Sequence, residues 1–254
     1  MDRRKLLWLS GLVVGGAVGC AQPQVMDKSG SSAQAGSVSS PNNASNQIAR
    51  NTQPADSQKI DAKPSSLVQI ADVQAQLAVD QSRSREDRQN ALELAKTNYQ
   101  RALKLDPNCL AAYLGMARVC SGAGEHELAI QALDSALAKY PREAQLWYER
   151  GMIMGREKRF DESVRNLNQA LQIDPNNANY GKSLGLMLAR MGRGDEGVAV
   201  LQHWMSEADA HYNVARILEH MGLTAESQRQ LQLALRSDPN HQASLAIFKG
   251  EAAN

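Results

Sequence analysis

The sequence predicts an all-α protein: an α-solenoid of about five helical hairpins with a short C-terminal capping helix. Three observations carry this. The phrase "ALKLDPN" from Ala102 returns as "ALAKYPR" from Ala136, "ALQIDPN" from Ala170 and "ALRSDPN" from Ala234. The steps are 34, 34 and 64 residues, and a period between about 20 and 50 residues marks a stack of repeated supersecondary units. Aromatic residues are only 4% of the 254-residue chain, too few for a sheet protein rich in aromatic and β-branched strands. Finally, small residues recur at fixed places in each unit, where two helices would have to approach closely.

The first 19 residues read as an address. Arg3, Arg4 and Lys5 precede a 13-residue apolar run from Leu6 to Val18. A membrane-spanning helix needs about 20 such residues, so charged head, short apolar centre and small-residue end describe a secretory signal. The run closes on Ala17-Val18-Gly19-Cys20, which resembles the bacterial lipobox. That resemblance implies cleavage before Cys20, with lipid on its thiol and its new amino group. Several acyl chains, each contributing about 0.8 kcal/mol per buried methylene, make a stable anchor. Ala at the first lipobox position, where Leu is commoner, is a mild departure. Ala21, which is not Asp, implies the outer membrane, facing the periplasm. Arg3-Arg4 lacks the preceding Ser or Thr and the later Lys of a twin-arginine signal, so the export route stays open.

Residues 20–65 then form a tether. Ser, Asn, Gln, Ala, Pro and Gly dominate residues 21–65, and no aromatic occurs. Such a segment cannot bury enough apolar surface to offset its ordering entropy. A flexible chain of that length reaches roughly 35–40 Å.

The folded body is expected over 66–254. Leu67, Ile70, Val73 and Leu77 recur at helical spacing, and the polar stretch 80–89 reads as a turn or a frayed end. The units are set at about 76–109, 110–143, 144–177, 178–207 and 208–241, with a cap over 242–252. Residues Tyr113, Ala117, Ala129, Leu133, Ala136 and Pro141 carry the second unit. Trp147, Gly151, Ser163, Leu167, Ala170 and Pro175 carry the third. Leu184, Gly185, Gly197 and Leu201 carry the fourth, and Ala215, Ser227, Leu231, Ala234 and Pro239 the fifth. The first unit keeps only Ala95, Tyr99, Ala102 and Pro107. This pattern resembles the tetratricopeptide repeat. Each Pro ends a second helix, because its ring clashes with the preceding turn and it offers no N–H.

The 64-residue step is a unit of 30 plus a unit of 34. Four residues are about one helical turn, so the fourth unit should have a shortened second helix. Trp204 replaces the usual Ala there, and Gly181 stands where an aromatic is usual. Trp204 is expected to plug the altered junction and to bend the stack locally.

Lys plus Arg is 28 and Asp plus Glu 27, which excludes a whole-chain electrostatic case for nucleic acid. "GKSLG" at 181–185 matches a nucleophile elbow, but Ser183 would lie inside a helix, not at a strand-to-helix turn. His126, His203, His211, His220 and His241 have no metal-binding spacing and read as surface or turn residues. Cys109 and Cys120, if on one helix, lie about 16 Å apart, too far to bridge. No cofactor, metal or catalytic group is expected, and the chain is not read as an enzyme.

The resemblance to tetratricopeptide repeats implies a concave groove lined by the first helices. Helical phase carries this onto Leu114 and Arg118; Tyr148, Met152 and Arg156; Lys182, Leu186 and Arg190; and Tyr212, Arg216 and Glu219. The set is basic with two tyrosines, and it suits an acidic protein segment. Met152 and Leu186 replace the asparagines of the carboxylate-clamp subfamily, so that partner is not assigned. The expected function is a lipid-anchored scaffold or adaptor of the bacterial cell envelope, in the setting of envelope, pilus or secretion-machine assembly. The alternative is a self-associating structural envelope protein.

Overall fold

The structure, a computed structural model, describes residues 63–248. The signal, Cys20, the tether up to residue 62 and the cap residues 249–252 lie outside them. Eleven helices and no strand make up the described residues.

The helices pair as hairpins. α1 (Pro64–Val79) pairs with α2 (Arg85–Leu105), α3 (Leu110–Gly122) with α4 (His126–Leu137), and α5 (Ala144–Arg156) with α6 (Phe160–Ile173). α7 (Ala178–Arg190) pairs with α8 (Gly194–Leu201), and α9 (Glu207–His220) with α10 (Thr224–Ser237). α11 (Gln242–Phe248) packs on α10. Three of the second helices stop just before Asp-Pro: α2 before Pro107, α6 before Pro175 and α10 before Pro239. A residue ahead of Pro is driven out of the helical region, so the break is local chemistry.

Four of the five hairpin turns share one device. Residues 124, 158, 192 and 222 all have positive φ. Glu125, Arg159, Arg193 and Leu223 each donate a backbone N–H five residues back, to Cys120, Met154, Leu188 and Leu218. This is the Schellman closure, which favours Gly at the left-handed residue. Three units have Gly there; the third has Lys158, at φ 61°. A side chain in that conformation costs about 1–2 kcal/mol. Lys158→Gly should therefore raise the melting temperature by about 2–4 °C, read by circular dichroism. A melting temperature unchanged or lowered would refute the strain.

Small residues let the helices of a hairpin touch. Ala117, Ala129 and Ser163 are fully buried. Ser163 donates its hydroxyl to the Gly151 carbonyl at 2.7 Å, satisfying the polar group that the close crossing buries. Leu133, Leu146, Ile153, Met154, Leu167 and Leu201 fill the interior around them. Position 98 of the first unit recurs as Asn166 and Gln230, buried polar residues on α6 and α10. Each is satisfied by a side chain on the paired helix: Asn98 by Gln74, Asn166 by Arg150, and Gln230 by His211.

The fourth unit departs as its length requires. α8 has eight residues, against 12 in α4 and 14 in α6 and α10. The aromatic position of the first helices is Tyr113, Trp147, Gly181 and His211. At Gly181 a β-carbon would stand 2.0 Å from the Trp204 indole nitrogen. The indole beyond the short α8 thus occupies the space that a side chain on α7 fills in the neighbouring units.

Four expectations change. The core face of α1 is Leu67, Val68 and Ala71, and Ile70 and Val73 point outward, because α1 ends the stack and has helices on one side only. The stretch 80–89 is the expected turn only over 80–84: α2 starts at Arg85, with Ser84 accepting from the Asp87 N–H at 3.0 Å as its cap. α1 also supplies the first unit with the first helix that its sequence seemed to lack. His211 is buried, held by its Nδ1 contact to Gln230 Oε1 at 2.6 Å. Gln230 in turn donates to Asp195 at 2.8 Å. Asp195 is held below its ordinary carboxylate value because Arg229 and then Gln230 donate to it.

Candidate functional site: the face of the first helices

α3 packs on α5, α5 on α7, and α7 on α9, as α1 does on α3. The second helices make no comparable contact with one another. A stack whose first helices touch while its second helices splay must curve with the first helices inside. Their solvent side is therefore an inner face shared by successive units.

The repeat places equivalent residues in rows on that face. One row is Leu114, Tyr148, Lys182 and Tyr212; the next is Arg118, Met152, Leu186 and Arg216; a third holds Arg156 and Arg190. Leu114 is 8% exposed and belongs to the core cluster around Tyr99 and Met116. It offers no ligand surface, because at this end of the stack α1 and α2 enclose α3. The rest are accessible in part or in full: Tyr148, Met152, Lys182, Leu186 and Tyr212 are half-buried, and Arg118, Arg156, Arg190, Arg216 and Glu219 exposed.

The cations divide into engaged and available. Arg118 Nε donates to Glu149 at 2.7 Å, bridging α3 and α5. Arg156 donates to the Ser121 hydroxyl on α3. Arg216 stands over the Tyr212 ring, 5.8 Å from its centroid. Among the described residues, no carboxylate pairs with Lys182 or Arg190 on α7. The apolar part of the face is centred nearby. Tyr148 and Tyr180 stack at 5.0 Å between centroids, and burial pushes the Tyr180 hydroxyl pKa up, so it stays neutral. Met152 and Leu186 continue this strip along α5 and α7, packed against the interior leucines and methionines.

Glu149, Ser121 and Tyr180 were not among the expected residues. Glu149 was legible: it lies 31 residues from Arg118, nearly one period, so a pair between successive units was foreseeable. Tyr212 is also less open than its phase suggests, since His241 packs edge-on against it at 5.4 Å. His241 belongs to the turn before α11 and reaches back to Asp209 at 3.2 Å.

Ser183 lies within α7, with no strand to present it. Among the described residues no three His, Cys, Asp or Glu side chains converge as metal ligands. No described helix is long and apolar enough to cross a membrane. Cys109 and Cys120 form no disulfide, and burial pushes the Cys120 thiol up to about 11.

Comparison with known proteins agrees with this architecture. No curated protein matches the chain. Many solved structures resemble it, among them two that share its fold. The crystal structure of YrrB, described as a TPR protein with an unusual peptide-binding site, superposes with a TM-score of 0.52 at 21% identity, over 75% of this chain and 94% of that one. The MamA protein superposes with a TM-score of 0.52 at 19% identity, over 75% and 97% of the two chains. Tetratricopeptide-repeat family models match residues 87–150, 144–177 and 208–241. With hairpins of matching period stacked through their small residues, the chain is a tetratricopeptide-repeat protein over residues 87–177 and 208–241.

Proposed function

We propose that the protein is a lipid-anchored scaffold of the bacterial cell envelope that holds a segment of a partner protein against its first-helix face. The observation that carries this is the unpaired Lys182 and Arg190 on α7, beside the apolar strip of Tyr148, Met152 and Leu186. Arg, Tyr and accessible apolar groups are what interfaces use as energetic centres. An extended acidic segment would satisfy both the charge and the strip. The peptide-binding site in the description of YrrB supports the reading by shared fold. Among the described residues the depressions are open to solvent, unlike the enclosed sites of small substrates, and the fold is generally that of a protein-interaction scaffold.

The anchor rests on the lipobox residues Ala17 to Cys20 and on the tether composition. Cys20→Ser should leave the protein unprocessed and without acyl chains, read by palmitate labelling. Undiminished labelling would refute Cys20 as the lipid site. The groove is tested by isolating envelope proteins on the full chain, with a Lys182→Glu/Arg190→Glu chain in parallel. Partners retained equally by both would exclude this face.

A further inference from the structure

The outer side of α1 carries an ordered seam. Lys63, Ser66, Ile70, Val73, Leu77 and Asp80 follow at steps of 3, 4, 3, 4 and 3, the spacing of a heptad seam. Ile70 and Val73 are 48% and 56% exposed. A depression of 430 Å³ runs along them, and its lining among the described residues, Ser66, Gln69, Ile70, Val73 and Gln74, comes from α1. Between Lys63 and Asp80 the helix has one charged residue, Asp72, and that accepts a hydrogen bond from the buried Tyr99 hydroxyl at 2.5 Å. The middle of the seam is therefore uncharged, with Lys63 at one end and, at the other, Asp80, which also pairs with Arg83 at 3.4 Å and accepts from Ser82.

We propose that α1 pairs with α1 of a second copy of this chain, antiparallel, about a twofold axis between positions 71 and 72. The register follows from the spacing, which is symmetric about that point. Ile70 then faces Val73 of the second copy, and Ser66 faces Leu77, a small residue against a large one. Lys63 faces Asp80 at both ends. A parallel pairing would set Lys63 against Lys63 and Asp80 against Asp80, so charge selects the antiparallel form. A twofold contact uses the same patch on both copies, which an uncharged centre permits and a singly charged one would not. A strongly charged partner would find no counter-charge along the centre. The first-helix face of α3 to α9 stays open in such a dimer, so this inference does not depend on the groove reading.

The seam is about 25 Å long, smaller than the roughly 800 Å² per partner of a standard stable interface. The dimer should accordingly form at micromolar concentrations. Sedimentation velocity of the full chain, in a density-matched detergent and over a concentration series, tests it. A monomer–dimer equilibrium is expected. Val73→Glu should weaken it at least about tenfold by burying an unpaired charge, with an unchanged melting curve because Val73 is exposed. Lys63→Glu should weaken it about fivefold, and Lys63→Glu/Asp80→Lys should restore it to within about twofold, since the swap rebuilds both end pairs. A chain that stays monomeric at several hundred micromolar overturns the proposal. So does a dimer indifferent to Val73→Glu, or a swap that fails to rescue while melting normally. A monomer whose Val73→Cys thiol resists labelling would assign the face to the chain's own N-terminal segment and equally overturn the pairing.

Discussion

Gly197→Val should lower the melting temperature of the protein by about 10 °C, at an expected cost of about 3 kcal/mol or more for overpacking against atoms that cannot move aside. α7 and α8 cross where Gly185 and Gly197 face each other. A β-carbon at Gly197 would stand 2.6 Å from the Gly185 carbonyl oxygen and 3.3 Å from the Ala189 nitrogen. One at Gly185 would meet Leu201 Cγ at 2.6 Å and the Gly197 carbonyl at 2.9 Å. These obstacles are backbone, or side chains with no exposure such as Leu201, so the helices themselves must separate. α8 has only eight residues, and few other contacts hold it while they do. Gly122 is the control. It ends α3, and a β-carbon there meets nothing within 4 Å. Gly122→Ala should leave the melting temperature unchanged or raise it, since Ala restricts the unfolded chain more than Gly. A Gly197→Val chain that melts within about 2 °C of the parent would show that the crossing is looser than the structure has it.

The second large effect concerns binding. Lys182 and Arg190 lie eight residues apart on α7, about 12 Å along one side of the helix, with Leu186 between them. Reversing both converts two attractions for an acidic segment into two repulsions. Exposed pairs contribute only about 0.2–1 kcal/mol each, but reversal acts twice at each site. Affinity should fall about ten- to hundredfold. Salt supplies an internal check. Raising ionic strength shortens the Debye length from about 10 Å at 0.1 M to about 3 Å at 1 M. The parent should lose affinity with salt, and the reversed chain should not. Arg118 and Arg156 make poorer targets, because Glu149 and Ser121 already engage them. Isothermal titration of any partner recovered on the chain reads both quantities. Equal affinities for parent and reversed chain would place the binding surface elsewhere.

Much of the fold was legible because each repeat reports the same local requirements several times. Pro107, Pro175 and Pro239 end helices by chemistry that needs no neighbour. Ala117, Gly151, Gly185 and Ala215 return at one position because the same helix crossing returns. The missing four residues of the fourth unit pointed to a shortened helix, and Trp204 pointed to an altered junction. The candidate face was less legible. Phase alone put Leu114 among accessible residues, yet phase cannot register that α1 and α2 wrap the first end of the stack. Lys158 gave no sign of its left-handed backbone, since in the other units that turn is announced by Gly. His211 read as a surface or turn residue until Gln230, 19 residues away and itself donating to Asp195, proved to hold it.

The amino-acid sequence by itself determined the period, the helix ends, the small-residue crossings and the place of the irregular unit. All of these follow from backbone sterics and from spacing within about one repeat. Only the tertiary structure decided which apolar and charged groups remain available: Ile70 and Val73 outside, Leu114 inside, Arg118 engaged, Lys182 and Arg190 not. Availability is set by what packs alongside from other units, and a side chain's accessible surface is a property of all its neighbours at once.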